Sequence, residues 1–279
     1  MVKDYCILLG YKHSVMDKPC LKKVTVLGSG TSFGVPVIGC QCDVCQSDDP
    51  RDKRTRSSIL LETSENKKIV VDTGPEFRIQ LIRESVDNID AVFYTHLHAD
   101  HLHGFDDLRV FSYKNNKPLK VYLPTACIPD LKARFHYIFN PNSYQGTLPQ
   151  IELIPFEEGD VQIAGLNFEV IFLPHGGVQS AAFKVDKFAY ATDFTKFSEE
   201  QIASWTGKIQ SMIASGIRFK NPHYSHSLIP ETENLFKSLQ IKNGFIHHLS
   251  HEVGHIQGNA LLSPGCELAY DGMVIDLRA

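Results

Sequence analysis

Four potential metal ligands fall within His96-Leu97-His98-Ala99-Asp100-His101. Imidazole and carboxylate are donors suited to zinc, manganese or iron. In an extended turn His96 and His98 point the same way, because side chains alternate along extended chain. Asp100 and His101 can then face a second ion. Two cations about 3.5–4 Å apart clamp both the attacking and the leaving oxygen of a displacement. The bland alternative is a solvated loop decorated with histidines, and further ligand candidates downstream argue against it.

A second group, Gly39-Cys40-Gln41-Cys42-Asp43-Val44-Cys45, sets three thiols in one short run. Three thiolates can wrap a tetrahedral zinc if one more ligand closes the site, and a closed site is structural. The alternative is three reduced thiols. Seven cysteines, an odd number, suit a reducing compartment better than a disulfide framework, so a cytoplasmic location is expected. Cys6, Cys20, Cys127 and Cys266 stand apart and carry no evident chemistry.

The third group is basic: Pro50-Arg51-Asp52-Lys53-Arg54-Thr55-Arg56. A guanidinium fork matches phosphate geometry, so Arg51, Arg54 or Arg56 could bind a second phosphate of a substrate. A solvated turn is an equal alternative. Gly28-Ser29-Gly30-Thr31 could lend backbone N–H groups to an anion, yet it fits neither the phosphate-loop nor the dinucleotide pattern. Arg109 is expected to pair with Asp106 or Asp107 rather than with substrate.

These groups need a frame. The chain has 279 residues, 43% of them hydrophobic, enough for a sizeable core. No linker, repeat or low-complexity tract divides it, which predicts one domain over residues 23–279 and an extension over 1–22. Met16 could be an alternative start. The apolar run at 5–10 is too short for a secretory signal, and no run reaches membrane-spanning length. A net charge of −4 argues against a broad nucleic-acid surface. Strand-like runs fall at 23–27, 58–62, 68–72, 90–95, 119–123, 166–173, 181–185, 188–192, 208–214, 244–247 and 267–275. Helix-like runs fall at 75–84, 106–114, 128–138, 198–204 and 230–239, with Ser198 and Thr232 as first-turn residues of the last two. This mixed order predicts an α/β fold of two packed sheets with helices outside.

Thr95-His96-Leu97-His98-Ala99-Asp100-His101-Leu102-His103-Gly104 matches the T-H-x-H-x-D-H-x-x-G signature, and so resembles the metallo-β-lactamase superfamily. Phe105-Asp106-Asp107-Leu108-Arg109, the stretch 28–36 and the cysteines behind it narrow the resemblance. Over residues 23–270 the chain is similar to the phosphoribosyl 1,2-cyclic phosphate phosphodiesterase group. The resemblance implies a four-layer αβ/βα sandwich of two mixed sheets. It implies His96, His98 and His175 as ligands of one ion and Asp100, His101 and His248 as ligands of a second, with Asp193 bridging. His247 is then a buried neighbour. It implies His251 as the fourth ligand of a structural zinc beside Cys40, Cys42 and Cys45. Asp72, in Val70-Val71-Asp72-Thr73-Gly74, also matches a family motif and would orient a ligand histidine. The alternative is an ordinary turn aspartate.

The expected cofactors are therefore two divalent cations, zinc, manganese or iron, and one structural zinc. The expected substrate is a small phosphodiester, such as a cyclic ribose phosphate or a nucleotide. Asp100 and His226 stand as the catalytic residues, His226 as proton donor with His223 as its competitor. A tRNA 3′-processing endonuclease shares the metal signature, but it usually carries a basic insert that this sequence lacks. A thioester hydrolase like glyoxalase II leaves the cysteines unexplained. A non-catalytic metal-binding protein, as in pyrroloquinoline-quinone biosynthesis, departs in the catalytic ligands. No membrane partner is expected, and a homodimer is compatible with the reading.

Overall fold

The computed structural model describes residues 18–140 and 146–278. The apolar run at 5–10, Cys6 and Met16 lie outside the described residues. One seven-stranded sheet holds β1 (Leu21–Gly28), β2 (Ser58–Thr63), β3 (Lys68–Val71), β4 (Ala91–Phe93), β5 (Leu119–Pro124), β6 (Ile151–Phe156) and β14 (Val274–Asp276), in the order β14-β1-β2-β3-β4-β5-β6. The second holds β7 (Gly159–Ile163), β8 (Leu166–His175), β9 (Val178–Val185), β10 (Phe188–Ala191), β11 (Ser211–Ser215), β12 (Asn243–His247) and β13 (Cys266–Leu268), in the order β13-β12-β11-β10-β9-β8-β7. Both sheets are mixed: β3 to β6 run parallel, as do β10 to β13, and the other pairings are antiparallel.

The period-two alternation of strands sorts their side chains. Ile59, Leu61, Ile69, Val71 and Phe93 point between the sheets and meet Phe168, Phe183, Tyr190 and Ile213. Leu60, Val70 and Val92 point outward onto Phe77, Leu81, Leu102 and Phe105. Met212, Ala214 and Ile246 point out of the second sheet onto Trp205, Leu235, Phe236 and Leu239. Strands covered on both faces read as continuous apolar runs, and these do. Phe93 sits at the centre of the middle layer, its ring 4.8 Å from Phe156 and 5.2 Å from Phe183. Truncating it to alanine would cost about 3–5 kcal/mol.

The helices cover the outer faces, which gives the expected four layers. Ile229–Leu239 buries Ile229, Thr232, Leu235, Phe236 and Leu239, a stripe at helical spacing. Pro230 lies in its first turn, and Gln240 at φ 61° ends it. Ser198 caps Glu199–Trp205 in a reciprocal capping box with Gln201.

Several expectations shift. The run 267–275 is not one strand: β13 ends at Leu268 in one sheet, and β14 begins at Val274 in the other. A turn at Gly272, φ 89°, carries the chain across. The run 128–138 breaks at Phe135 into two short helices, and 106–114 starts with a 3-10 turn. Strands β6 and β7 carried no strong signal. Both stand at sheet edges, where Glu152, Pro155 and Gly159 interrupt the apolar pattern. Ala164 and Gly165, with φ of 49° and 85°, form the two-residue turn that joins β7 to β8. Among the described residues, no helix is long and apolar enough to cross a membrane.

Candidate metal centre

The candidate ligands stand where strands end. His96 and His98 follow β4, and the short helix Ala99–Leu102 carries Asp100 and His101. His175 closes β8, Asp193 lies just past β10, and His248 follows β12. Strands buried on both faces hold these ends rigidly, which favours fixed ligand geometry. Asp72, Asp193 and His248 adopt positive φ, at 61°, 50° and 58°. Such backbone costs about 1–3 kcal/mol per residue and gathers at functional sites. The histidine turn also lies tight on the end of β3. A Cβ on Gly74 would meet the Asp100 carbonyl at 2.4 Å, and one on Gly104 would meet the Gly74 carbonyl at 2.5 Å. Only glycine admits that approach.

Two donor sets result: His96, His98, His175 and Asp193, and Asp100, His101, Asp193 and His248. Within each, the ligand atoms lie within 4.8 Å of one another. Asp193 belongs to both. Its Oδ2 lies 3.3 Å from His175 Nε2 and 3.5 Å from His101 Nε2, while its Oδ1 lies 3.1 Å from His248 Nε2.

The surrounding hydrogen bonds fix which nitrogens face inward. Asp72 accepts from the Thr95 N–H and Oγ1 at 2.8 Å and from His101 Nδ1 at 2.7 Å. His175 Nδ1 donates to the Ser225 carbonyl at 2.8 Å. Thr95 gives its proton to Asp72, so it accepts from His96 Nδ1 at 3.0 Å. Each of these rings therefore turns an Nε2 lone pair toward Asp193.

The donors fit divalent cations. His96 Nε2, His101 Nε2 and both nitrogens of His248 are buried without a hydrogen-bond partner. Unpaired buried polar atoms are costly, and a cation is what imidazole lone pairs and carboxylates share. Burial alone would raise the Asp193 carboxyl, yet His248 and His101 hold it well below the usual carboxylate range. Burial would lower His101, but Asp100, Asp193 and Asp72 raise it well above an ordinary histidine. The pocket thus demands positive charge, which bound cations would supply.

The cysteine loop meets the same end of the second sheet. Cys40, Cys42 and Cys45 place their sulfurs 3.3, 3.5 and 3.7 Å from His251 Nδ1. About 3.5 Å is the edge of a tetrahedron built with zinc–sulfur and zinc–imidazole bond lengths. The Cys45 N–H helps hold the Cys42 thiol down to about 6, whereas burial pushes the Cys45 thiol up to about 11.

A family model described as a beta-lactamase superfamily domain matches residues 67–249, spanning the histidine turn, His175, Asp193 and His248. The chain belongs to the beta-lactamase superfamily. It is similar to a crystal structure of a new diphosphatase from the PhnP family, with 33% identity and a TM-score of 0.85 over 93% of this chain and 98% of that one. An octanoyltransferase of Porphyromonas gingivalis is 34% identical over 250 residues, 89% of this chain and 50% of that one. The chain thus spans half the length of that curated relative. Zinc-bound PqqB from Methylobacterium extorquens shares the fold, at 16% identity and a TM-score of 0.73 over 91% of this chain and 100% of that one.

A cavity of about 350 Å³ opens over the two donor sets, lined also by His223, Tyr224, His226 and Arg218. His226 Nδ1 lies 4.0 Å from Asp193 Oδ2, its ring between those of His175 and His248. Burial pushes its imidazole down to about 3. His223 packs 4.8 Å from His226, centroid to centroid. His247 is fully buried against Tyr190 and belongs to neither donor set.

The arginine expectation is corrected. None of Arg51, Arg54 and Arg56 lines that cavity. Arg51 forks onto Asp49, at 2.9 and 2.7 Å. Arg54 is 1% exposed, bound to Asp52 at 2.8 Å and to the Ser250 carbonyl at 3.1 Å. Arg56 pairs with Glu76 and donates to the Ser32 carbonyl at 3.0 Å. Each guanidinium is consumed by a carboxylate, two of which, Asp49 and Asp52, lie beside or among the arginines in the chain. The N–H groups of Ser29, Gly30 and Thr31 are likewise taken, by Asp271, Thr55 and Leu249. Arg109 pairs with Asp106, as expected. Arg218, the arginine that does line the cavity, carried no sequence signal.

Proposed function

We propose that this superfamily hydrolase cleaves a small phosphodiester at its paired donor sets. The observation that carries the reading is the Asp193 carboxylate, which is shared by both sets: Oδ2 approaches His175 of one and His101 of the other, and Oδ1 approaches His248. Two divalent cations held there would activate a water and neutralise charge on the phosphoryl oxygens. His96, His98 and His175 would hold one, Asp100, His101 and His248 the other. The cations would acidify the attacking water without a base, and His226 would relay the released proton to the departing oxygen. His223 keeps Nδ1 toward the Ser225 N–H, 3.3 Å away, so its Nε2–H is free to bond a phosphoryl oxygen. Cys40, Cys42, Cys45 and His251 would hold a structural zinc.

The similar diphosphatase supports chemistry at phosphorus rather than at an acyl carbon. The cavity supports a small substrate over a polynucleotide, since Arg218 is its one arginine or lysine and already pairs with Glu252 at 2.5 Å. The test is a panel of cyclic and linear phosphodiesters offered to the protein loaded with zinc or manganese, beside Asp193→Asn. Asparagine tolerates the positive φ at this position. Hydrolysis by the parent but not by the variant is expected. Equal rates would overturn the reading.

A further inference from the structure

The donor cluster lies at the meeting point of two cavities, and their walls differ. The polar one contains His175, Asp193, His226 and Arg218. The other, about 360 Å³, is walled by Leu97, Pro124, Ala126, Phe172 and Val178. His98 lines both, so the two are joined at a candidate metal ligand.

The second cavity also contains charged residues, but the cationic one is already satisfied. Arg134 donates through Nε to Asp130 at 3.0 Å and through Nη1 to the Leu97 carbonyl at 2.7 Å. Glu157 and Gln179 apart, what remains to meet a ligand is mostly hydrocarbon. Phe172 is held in place by its stack on Phe156, with centroids 6.3 Å apart. Val178 is 44% exposed, so its side chain is accessible to a ligand in the cavity. Apolar walls with one polar junction are the usual form of a ligand site.

Resting on the phosphodiesterase reading, we propose that the substrate is an acyclic diester with unlike arms, a hydrocarbon arm lying along Leu97, Ala126, Phe172 and Val178 and a polar arm lying beside His223 and Arg218. A phosphorus centred on the donor sets has two ester oxygens to extend, and two cavities adjoin the cluster, sharing His98. Hydrolysis forms one P–O bond from water and breaks one P–O ester bond. It yields a phosphomonoester and an alcohol, with the water's proton delivered to the alcohol oxygen.

The test uses alkyl p-nitrophenyl phosphates with methyl, butyl and hexyl arms, and the matching alkylphosphonates as uncleaved probes. For the metal-loaded parent, kcat/KM should rise up to about fourfold per methylene, and phosphonate Kd should fall in step. Ala126→Trp, which fills the cavity from an exposed position, should flatten both trends. Ala126→Ser, which leaves the cavity open, should keep the trends. A parent that cleaves every ester equally, with phosphonate affinity independent of length, overturns the apolar arm and leaves the hydrolase reading intact. Trends that persist in Ala126→Trp place the arm elsewhere and also overturn it. A parent that cleaves no diester with either metal overturns the function and this inference together.

Discussion

The histidine–aspartate cluster and the cysteine cluster meet within four residues, at His248 and His251, yet they are assembled in opposite ways. The first draws ligands from four separate stretches of chain, each at the end of a strand. The second takes three ligands from one loop with little regular structure, and only His251 comes from afar. The first lines an open cavity over Asp193, whereas the three cysteines line none of the described cavities beside it. A cluster fixed by strand ends keeps its geometry before any cation arrives. A cluster made by a loop relies on the cation to fix that loop. The comparison therefore predicts that damage to the first removes chemistry and spares the fold, and that damage to the second does the reverse.

Asp193→Asn should show the largest effect. It removes the charge shared by the two sets, and turnover should fall by about a thousandfold or more. The melting temperature, followed by circular dichroism, should move by less than about 3 °C, since asparagine accepts the same backbone. A large loss of melting temperature would mean that the cluster is not prebuilt. His226→Ala comes next. With an alkoxide leaving group the rate should drop about a hundredfold, because that oxygen needs a proton. With p-nitrophenolate, which leaves unaided, the drop should be under about tenfold. Equal losses on both leaving groups would move the proton-transfer role away from His226.

Asp72→Asn is a finer probe of the same cluster. Asp72 accepts three hydrogen bonds and turns His101 Nε2 inward. An amide can accept on one atom only, so metal affinity should weaken by about 10–100-fold while the metal-loaded enzyme retains much of its kcat. Competition with a chelating dye would read this directly, and unchanged affinity would reduce Asp72 to a turn residue.

These expectations also mark what the sequence made legible. Strands β1 to β5 and β8 to β12 were readable because they carry apolar runs or an apolar–polar alternation over most of their length. The edge strands β6 and β7 were not, since solvent on one side permits Glu152, Pro155 and Gly159. The histidine turn could be read because its ligands are adjacent, and His175, Asp193 and His248 because the resemblance supplied their positions. The arginine run misled because local charge says nothing about partners: Glu76, twenty residues away, consumes Arg56. Positive φ at Asp72, Asp193 and His248 left no trace, because none of them is a glycine. The two cavities were equally invisible, being assembled from segments far apart in the chain, such as 124–134 and 172–179.

The smallest effect is expected where the two clusters touch, at Cys42→Ser. This variant should bind about two metals per chain where the parent binds about three. Its melting temperature should fall by about 5–10 °C as the loop comes free. Turnover should decline by less than about tenfold, for a reason that lies in the backbone around His248. Leu249 donates its N–H to the Ser29 carbonyl at 2.9 Å, and Ser250 donates to the Ile217 carbonyl at 3.0 Å. The buried Arg54 holds the Ser250 carbonyl at 3.1 Å and is itself anchored by Asp52. None of these bonds passes through a cysteine, so His248 should keep its place when the thiolate set is broken. If metal analysis instead showed all three ions lost together, with turnover gone, the two clusters would form one cooperative unit. The strand ends would then not be sufficient to build the catalytic half.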